Sequence, residues 1–202
     1  MKTTIIGSRW FGAQVFNEIA IKRSWDVHVI GTNGEDALTK AARSADSEHI
    51  LSVQSFDNPR KITGEMIPEN TDLIILAHCH AFVSEEARNK AKIGAFGYHP
   101  SLLPRHRGIA AVEWTIKAKD PIAGGSVYEL AKGWDDGLIL AQDWCFVYPD
   151  DDAGSLWKRS LAPMGISLLT KVFMETITLG HLPLGKAQDD RAVTLAPKLE
   201  LI

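Results

Sequence analysis

The 202-residue sequence predicts an α/β fold: a mostly parallel, twisted sheet with helices on both faces. Three observations carry that reading. Short β-branched or apolar runs alternate with stretches of helical period from the N-terminus onward, the order that crossover-connected parallel strands produce. The segment Asp72 to Ala77, DLIILA, is apolar without a break after its first residue, as a strand covered on both faces must be. The first two apolar runs end in glycine-bearing turns, at Gly7 and at Gly31-Thr32-Asn33-Gly34.

Taken in order, Thr3 to Ile6 reads as the first strand, and Phe11, Val15, Ile19 and Ile21 fall near one face of the helix that follows. Asp26 to Ile30 is a second strand, Ala37 to Ala45 a helix, and His49 to Val53 a third strand. Asp57-Asn58-Pro59 opens a turn or a short helix. After DLIILA, Ser84 precedes two glutamates and reads as a helix N-cap. Beyond Ala95 a short strand runs into a proline-bounded loop, Gly97 to Pro104, and Ala110 to Ala118 is an amphipathic helix. Ile122 to Leu130 and Leu138 to Val147 are two strands joined through Gly133-Trp134-Asp135-Asp136-Gly137. A long helix from Ala153 to Leu179 is capped by Asp152, buries Leu156, Leu161, Met164, Leu168, Val172 and Phe173, and is expected to kink at Pro163. The polar tail holds a short strand at Ala192 to Leu195. The whole chain, 1–202, is expected to form one domain, with a first half over about 1–95, a second over about 96–180 and a tail over 181–202. Ligands of such sheets sit beyond the carboxyl ends of the strands.

A hydrophobic fraction of 45% is enough for a sizeable core, and a formal charge of −3 offers no basic footprint for nucleic acid. Cys79 and Cys145 are too few for a disulfide framework, and no CxxC occurs. The start, MKTTIIGSRWFG, reads as a strand and not as a secretory signal, and no run approaches the roughly 20 apolar residues a membrane span needs. A cytoplasmic protein without nucleic-acid or membrane partners is expected, and a homodimer is left open.

The stretch richest in chemistry is Tyr98 to Gly108, YHPSLLPRHRG. Two prolines restrict its backbone, so His99 sits at a strand end in a loop with little freedom, which is how a reacting imidazole is held. A carboxylate in the GWDDG turn could approach it, fix its tautomer and support acid–base work. Asp135 and Asp136 are adjacent, and spacing alone does not choose between them. His78 and His80, at i and i+2 of an extended strand, would share a face as metal ligands do.

YHPSLLPRHRG, then Glu113-Trp114-Thr115-Ile116, then GWDDGLILAQ, resembles the catalytic core of the 10-formyltetrahydrofolate-dependent formyltransferases, over about residues 1 to 180. Within that family the wording is most similar to the hydrolase domain of 10-formyltetrahydrofolate dehydrogenase. The resemblance implies a Rossmann-like formyltransferase fold, with 10-formyltetrahydrofolate as co-substrate and no metal. His99 and Asp135 fall on the catalytic pair, and Ser101, Leu102, Leu103, Pro104, Arg107 and Gly108 match the motif between them. It implies that the folate is read by Cys79, His80, Ala81, Phe82 and Val83, with Leu102 and Leu103, and by Ala131, Lys132, Gly133, Trp134 and Asp136. Gly7, Ser8 and Arg9 resemble the place where relatives hold an acceptor phosphate, and Arg107 is assigned with them. GSRWFG is not GxGxxG, so a dinucleotide site is not expected. Trp10 and Trp134 are expected to flank the site, and Trp157 to pack in the core.

One departure stands out. The family's Asn, two residues before the His, is Gly97 here. That Asn donates to the developing oxyanion, and the loss of such a donor costs about 2.7–4 kcal/mol in acyl transfer. The implied function is formyl transfer to a small-molecule amine. Hydrolysis of the formyl-folate is the alternative, and a folate-binding module without chemistry is the third. The chain ends soon after the long helix, so tRNA is not the expected acceptor.

Overall fold

A computed structural model of the protein describes residues 1–199. Two compact units divide the chain: Met1–Gly97 with Thr176–Leu182, and Tyr98–Glu175 with the tail from Pro183 on.

The first unit carries β1 (Thr3–Gly7), α1 (Arg9–Phe16), β2 (Val27–Gly31), α2 (Ala37–Ser44), β3 (Ile50–Ser55), β4 (Lys61–Ile62), β5 (Leu73–Ala77), β6 (Phe82–Val83), α3 (Glu85–Asn89) and most of β7 (Gly94–His99). β1 pairs with β2 and β5, β2 with β3 and β5 with β7, all parallel. Every residue of β1 and β5 is buried, as strands with both faces covered must be. The chain steps outward from β1 to β3, then returns to the other side through β5 and β7. Right-handed crossovers therefore put α1 and α2 on one face and the connection through α3 on the other. Ser84 caps α3 as expected, its Oγ accepting from the Ala87 amide at 3.2 Å. β4 and β6 form a separate parallel pair that the sequence did not suggest, because two-residue strands have no period to read.

Within the first unit the strand order is β3-β2-β1-β5-β7, all parallel. The second unit holds α4 (Ala111–Lys117), the antiparallel pair β8 (Ile122–Glu129) and β9 (Ile139–Phe146), α5 (Ala153–Leu156) and most of α6 (Ala162–Leu179). Val112, Ala123, Leu156 and Leu161 pack into one cluster, with Trp157 half-buried against it, so that Trp has the core role expected of it. Tyr98, late in β7, donates its hydroxyl to the Leu161 carbonyl at 2.7 Å.

Two expectations for the C-terminal part change. Asp152 does cap the long helix, accepting from the Ser155 amide at 2.7 Å while Ser155 Oγ accepts from the Asp152 amide at 2.8 Å. The helix is not simply bent at Pro163, however: a widened π-type turn, Trp157–Leu161, separates α5 from α6 just before it. Pro163 has no N–H for the residue 159 carbonyl, and its ring crowds that group, so the turn opens. The short strand expected at Ala192 to Leu195 is instead a 3₁₀ turn, Asp190–Ala192, followed by a single parallel bridge between Arg107 and Leu195. Leu195 is 68% exposed, so alternation there reports no buried face. Among the described residues no helix is long and apolar enough to cross a membrane.

Candidate active site

His99 ends β7 and is 7% exposed. Its Nε2 lies 2.8 Å from the backbone oxygen of His106. A carbonyl only accepts, so Nε2 carries a hydrogen and donates it. Nδ1 is then the ring nitrogen left toward Asp135, whose Oδ2 lies 3.6 Å away. The Tyr128 ring stands perpendicular to the imidazole, 6.5 Å between centroids.

Burial separates the adjacent acids: Asp135 is 7% exposed, whereas Asp136 is exposed and accepts from the Gly133 amide at 3.2 Å, shaping the turn. Asp135 lies in the left-handed region, φ 54°, where a short polar side chain is tolerated. Its Oδ1 accepts from the Tyr128 hydroxyl at 2.7 Å and its Oδ2 from the Gly108 amide at 2.8 Å. Gly108 is required there. Its φ is 122°, and a Cβ on it would come within 2.7 Å of the Ala196 carbonyl oxygen.

The SLLP loop is fastened from β8 and β9. Ser126 donates its hydroxyl to the Ser101 carbonyl at 2.6 Å and accepts from the Leu103 amide at 3.0 Å. Gln142 donates to the Leu103 carbonyl at 2.9 Å. Leu103 is buried and Leu102 half-buried, so the loop presents them as packing as much as surface. Arg107, assigned from sequence to an acceptor, holds Gln188 Oε1 through Nε at 3.1 Å and a terminal nitrogen at 2.8 Å. Gln188 in turn donates to the carbonyls of Asp135 and Gly137, each at 2.8 Å. Tyr128, Ser126, Gln142 and Gln188 were not singled out from sequence. Tyr128 looked like any aromatic of a buried strand, and a glutamine in a polar tail carries no local signal.

In the first unit the predicted residues are arranged differently. Ser8 donates its hydroxyl to the His78 carbonyl at 2.7 Å. Arg9 has a φ of 59°, and its amide donates to the Asp36 carboxylate, which also caps α2 by accepting from Leu38 and Thr39 at 3.0 and 3.4 Å. An acid of the protein thus sits where an anion was expected. Beside it lies a cavity of about 190 Å³ lined by Arg9, Thr32, Asn33, Asn58, Arg60 and His80, among others. Arg60 supplies a second guanidinium the sequence did not flag.

His78 and His80 do not share a strand face, because β5 stops at Ala77 and His78 is left-handed, φ 62°. Their rings meet edge to face, 4.9 Å between centroids. Burial lowers the His78 pKa to about 4, with the nearby His80 and Arg9 adding to it. Burial raises Cys79 to about 11, keeping its thiol protonated at neutral pH. Trp10 and Trp134 are both more than half exposed. Among the described residues no three His, Cys, Asp or Glu side chains are grouped as metal ligands.

The pattern of the family described as Formyl transferase matches residues 2–172. The chain belongs to the formyl transferase family. It is 33% identical over 192 residues to the cytosolic 10-formyltetrahydrofolate dehydrogenase of Xenopus laevis, covering 91% of this chain and 21% of that protein. It is 28% identical over 216 residues to the methionyl-tRNA formyltransferase of Pediococcus pentosaceus, covering 98% of this chain and 64% of that one. The chain therefore spans about a fifth of the length of the dehydrogenases it matches. Among solved structures, the N-formyltransferase of Helicobacter canadensis, in complex with folinic acid and dTDP-3-aminofucose, shares the fold. Its TM-score is 0.77 at 19% identity, over 98% of this chain and 71% of that one. Glycinamide ribonucleotide transformylase 1 of Symbiobacterium toebii gives 0.70 at 18%, with 94% of each chain covered. In this member of the formyl transferase family His99 and Asp135 are both buried, and residue 97 is a glycine.

Proposed function

We propose that this protein transfers the formyl group of 10-formyltetrahydrofolate to a small-molecule amine, with His99 and Asp135 as its catalytic pair. The observation that carries this is the arrangement of two nearly fully buried groups, imidazole and carboxylate, each fixed by other hydrogen bonds and facing one another at 3.6 Å. In the reaction the amine nitrogen attacks the formyl carbon, and the carbonyl oxygen gains charge. The bond from that carbon to the folate nitrogen then breaks, the folate nitrogen takes a proton, and the amine nitrogen loses one. A ring that can gain a proton at Nδ1 beside a carboxylate serves that exchange, because the imidazolium formed there meets an opposite charge.

The family resemblance assigns folate contacts to Cys79 to Val83 and to residues 131–136. The cavity holding Arg9 and Arg60 offers two guanidinium groups suited to a carboxylate or phosphate of either substrate. A cytoplasmic setting, and an acceptor that is not a nucleic acid, complete the reading.

Hydrolysis is the second reading, and Gly97 favours it. A site lacking the oxyanion donor, in a chain similar to formyltetrahydrofolate dehydrogenases, can pass the formyl group to water with the same pair. The two are told apart by incubating the protein with 10-formyltetrahydrofolate alone and with a panel of amines, amino sugars and nucleotide-linked amino sugars. Tetrahydrofolate release and formylated product are followed by absorbance and mass. Release that depends on an amine supports transfer. Release without one assigns hydrolysis. Neither release nor saturable folate binding at millimolar ligand overturns both.

A further inference from the structure

His106 lies seven residues after His99 and takes no part in the proposed chemistry, yet it is 5% exposed and held at four points, the longest between its ring Nδ1 and Thr194 Oγ1 at 3.5 Å. Its backbone amide donates to Thr194 Oγ1 at 2.8 Å. Its ring Nε2 lies 2.6 Å from Asp120 Oδ2, and the same carboxylate takes Arg105 at 3.1 and 3.2 Å. Its carbonyl oxygen is the acceptor for His99 Nε2. The residue is left-handed, φ 55°, a conformation that a non-glycine residue keeps only where the surroundings impose it. The direction of that carbonyl follows from the backbone angles at 106, and those are imposed by the ring's grip on Asp120 together with the amide's grip on Thr194.

We infer that His106, anchored on Asp120, is a positioning residue that sets which nitrogen of His99 carries the hydrogen. While the 106 carbonyl accepts from Nε2, a neutral His99 must be the Nε2–H tautomer, and any second proton enters and leaves at Nδ1, on the Asp135 side. If the turn at 106 is released, the carbonyl swings away and His99 Nε2 loses the acceptor that holds its hydrogen. Asp135 then accepts a hydrogen from Nδ1, and the neutral ring turns over to the Nδ1–H form. The pair would lose its free proton-accepting nitrogen between ring and carboxylate. This rests on the reading of His99 as the catalytic histidine, but the tautomer itself is observable without any turnover.

The test uses ¹⁵N-histidine-labelled full-length protein and long-range ¹H–¹⁵N spectra, which distinguish the two neutral tautomers. In the wild type His99 should be Nε2–H. In His106→Leu and in Asp120→Ala it should shift to Nδ1–H or a mixture, with kcat falling about ten- to hundredfold and KM for the folate moving little, as for other residues that orient a reacting ligand. His106→Gln, whose amide can donate to Asp120, should restore both the tautomer and most of kcat. A purely packing role would let His106→Leu keep the wild-type tautomer while losing stability. An Nδ1–H wild type, or a folded His106→Leu or Asp120→Ala that stays Nε2–H, overturns the inference. If His106→Leu does not fold, Asp120→Ala alone decides it. A protein that shows the expected tautomers but no formyl chemistry with any acceptor or water would sink the functional reading and leave this one standing.

Discussion

The ends of β7 and β1 were both read from sequence as functional, and they differ in how they are built. At the end of β7 two buried groups face each other, and their remaining hydrogen bonds come from residues 7, 27 and 53 positions away. At the end of β1 the helix amide is taken by Asp36, and Arg9 lines a cavity. The first is a site whose geometry is settled before any ligand arrives. The second is a turn whose polar groups mostly serve the fold, with charge left over for an anion. Preorganised groups make rate and leftover charge makes affinity, so substitutions at the two places should differ in kind as well as in size.

The largest effects should fall on the β7 side. His99→Ala and Asp135→Asn should each lower formyl release at least about a hundredfold, and the double variant should lose little more than the worse single, because the two groups act as one. Asp136→Asn should stay within about threefold of the wild type, since its carboxylate is exposed and spends itself on the Gly133 amide. Steady-state rates with folding checked by circular dichroism decide this. Full activity in His99→Ala, or the loss appearing at Asp136 and not at Asp135, would contradict the assignment.

Gly97 comes next. Residues 97 and 99 lie on one face of β7, so an Asn at 97 points to the side of the sheet on which His99 lies. Gly97→Asn should raise amine-dependent formyl transfer, by up to about a hundredfold if the new amide reaches the oxyanion. An unchanged rate in a folded variant would show that another donor already stands there.

How much of this was legible beforehand differs between the two ends for a physical reason. The parallel core was readable because burial on both faces leaves an unbroken apolar run, as in DLIILA. The loop after β7 was readable as a constrained turn because prolines and glycines punctuate it. What could not be read was long-range polar pairing. Gln188 reaches back 81 residues to Arg107, and Asp36 reaches 27 residues to the Arg9 amide. Neither leaves a periodic or local mark. That Asp135 is buried and Asp136 exposed is a matter of which side chain turns inward, and adjacent identical residues carry no local mark of it.

On the β1 side the effects should appear in stability. His78 is held at about pKa 4 chiefly by burial, against an ordinary value of 6.5, so the unfolded chain binds its proton first as pH falls. Its contribution is therefore whole above pH 6.5 and is lost progressively toward pH 4, amounting to about 2 kcal/mol by pH 5. His78→Asn, with a residue suited to the left-handed backbone there, should flatten that part of the profile. Urea midpoints of both proteins at pH 7.5 and pH 5 measure it, and equal slopes would show that other groups carry the acid sensitivity.

The smallest expected effect is the one that asks most directly what the β1 turn is for. Asp36 accepts from Leu38, Thr39 and Arg9 amides, so Asp36→Ala removes the cap of α2 and the acid at the start of α1 together. The loss of a side-chain cap costs about 1 kcal/mol, and thermal or urea unfolding should show a loss of that order. The same substitution leaves those amides without their carboxylate acceptor next to Arg9, which is what a bound anion requires. Inorganic phosphate should then raise the melting temperature of Asp36→Ala more than that of the wild type. If phosphate stabilises both equally, it binds at the Arg9 and Arg60 cavity without competing with Asp36, and the turn and the cavity are separate features. If it stabilises neither, the end of β1 is a structural turn alone, and the acceptor's charge must be met elsewhere in the protein.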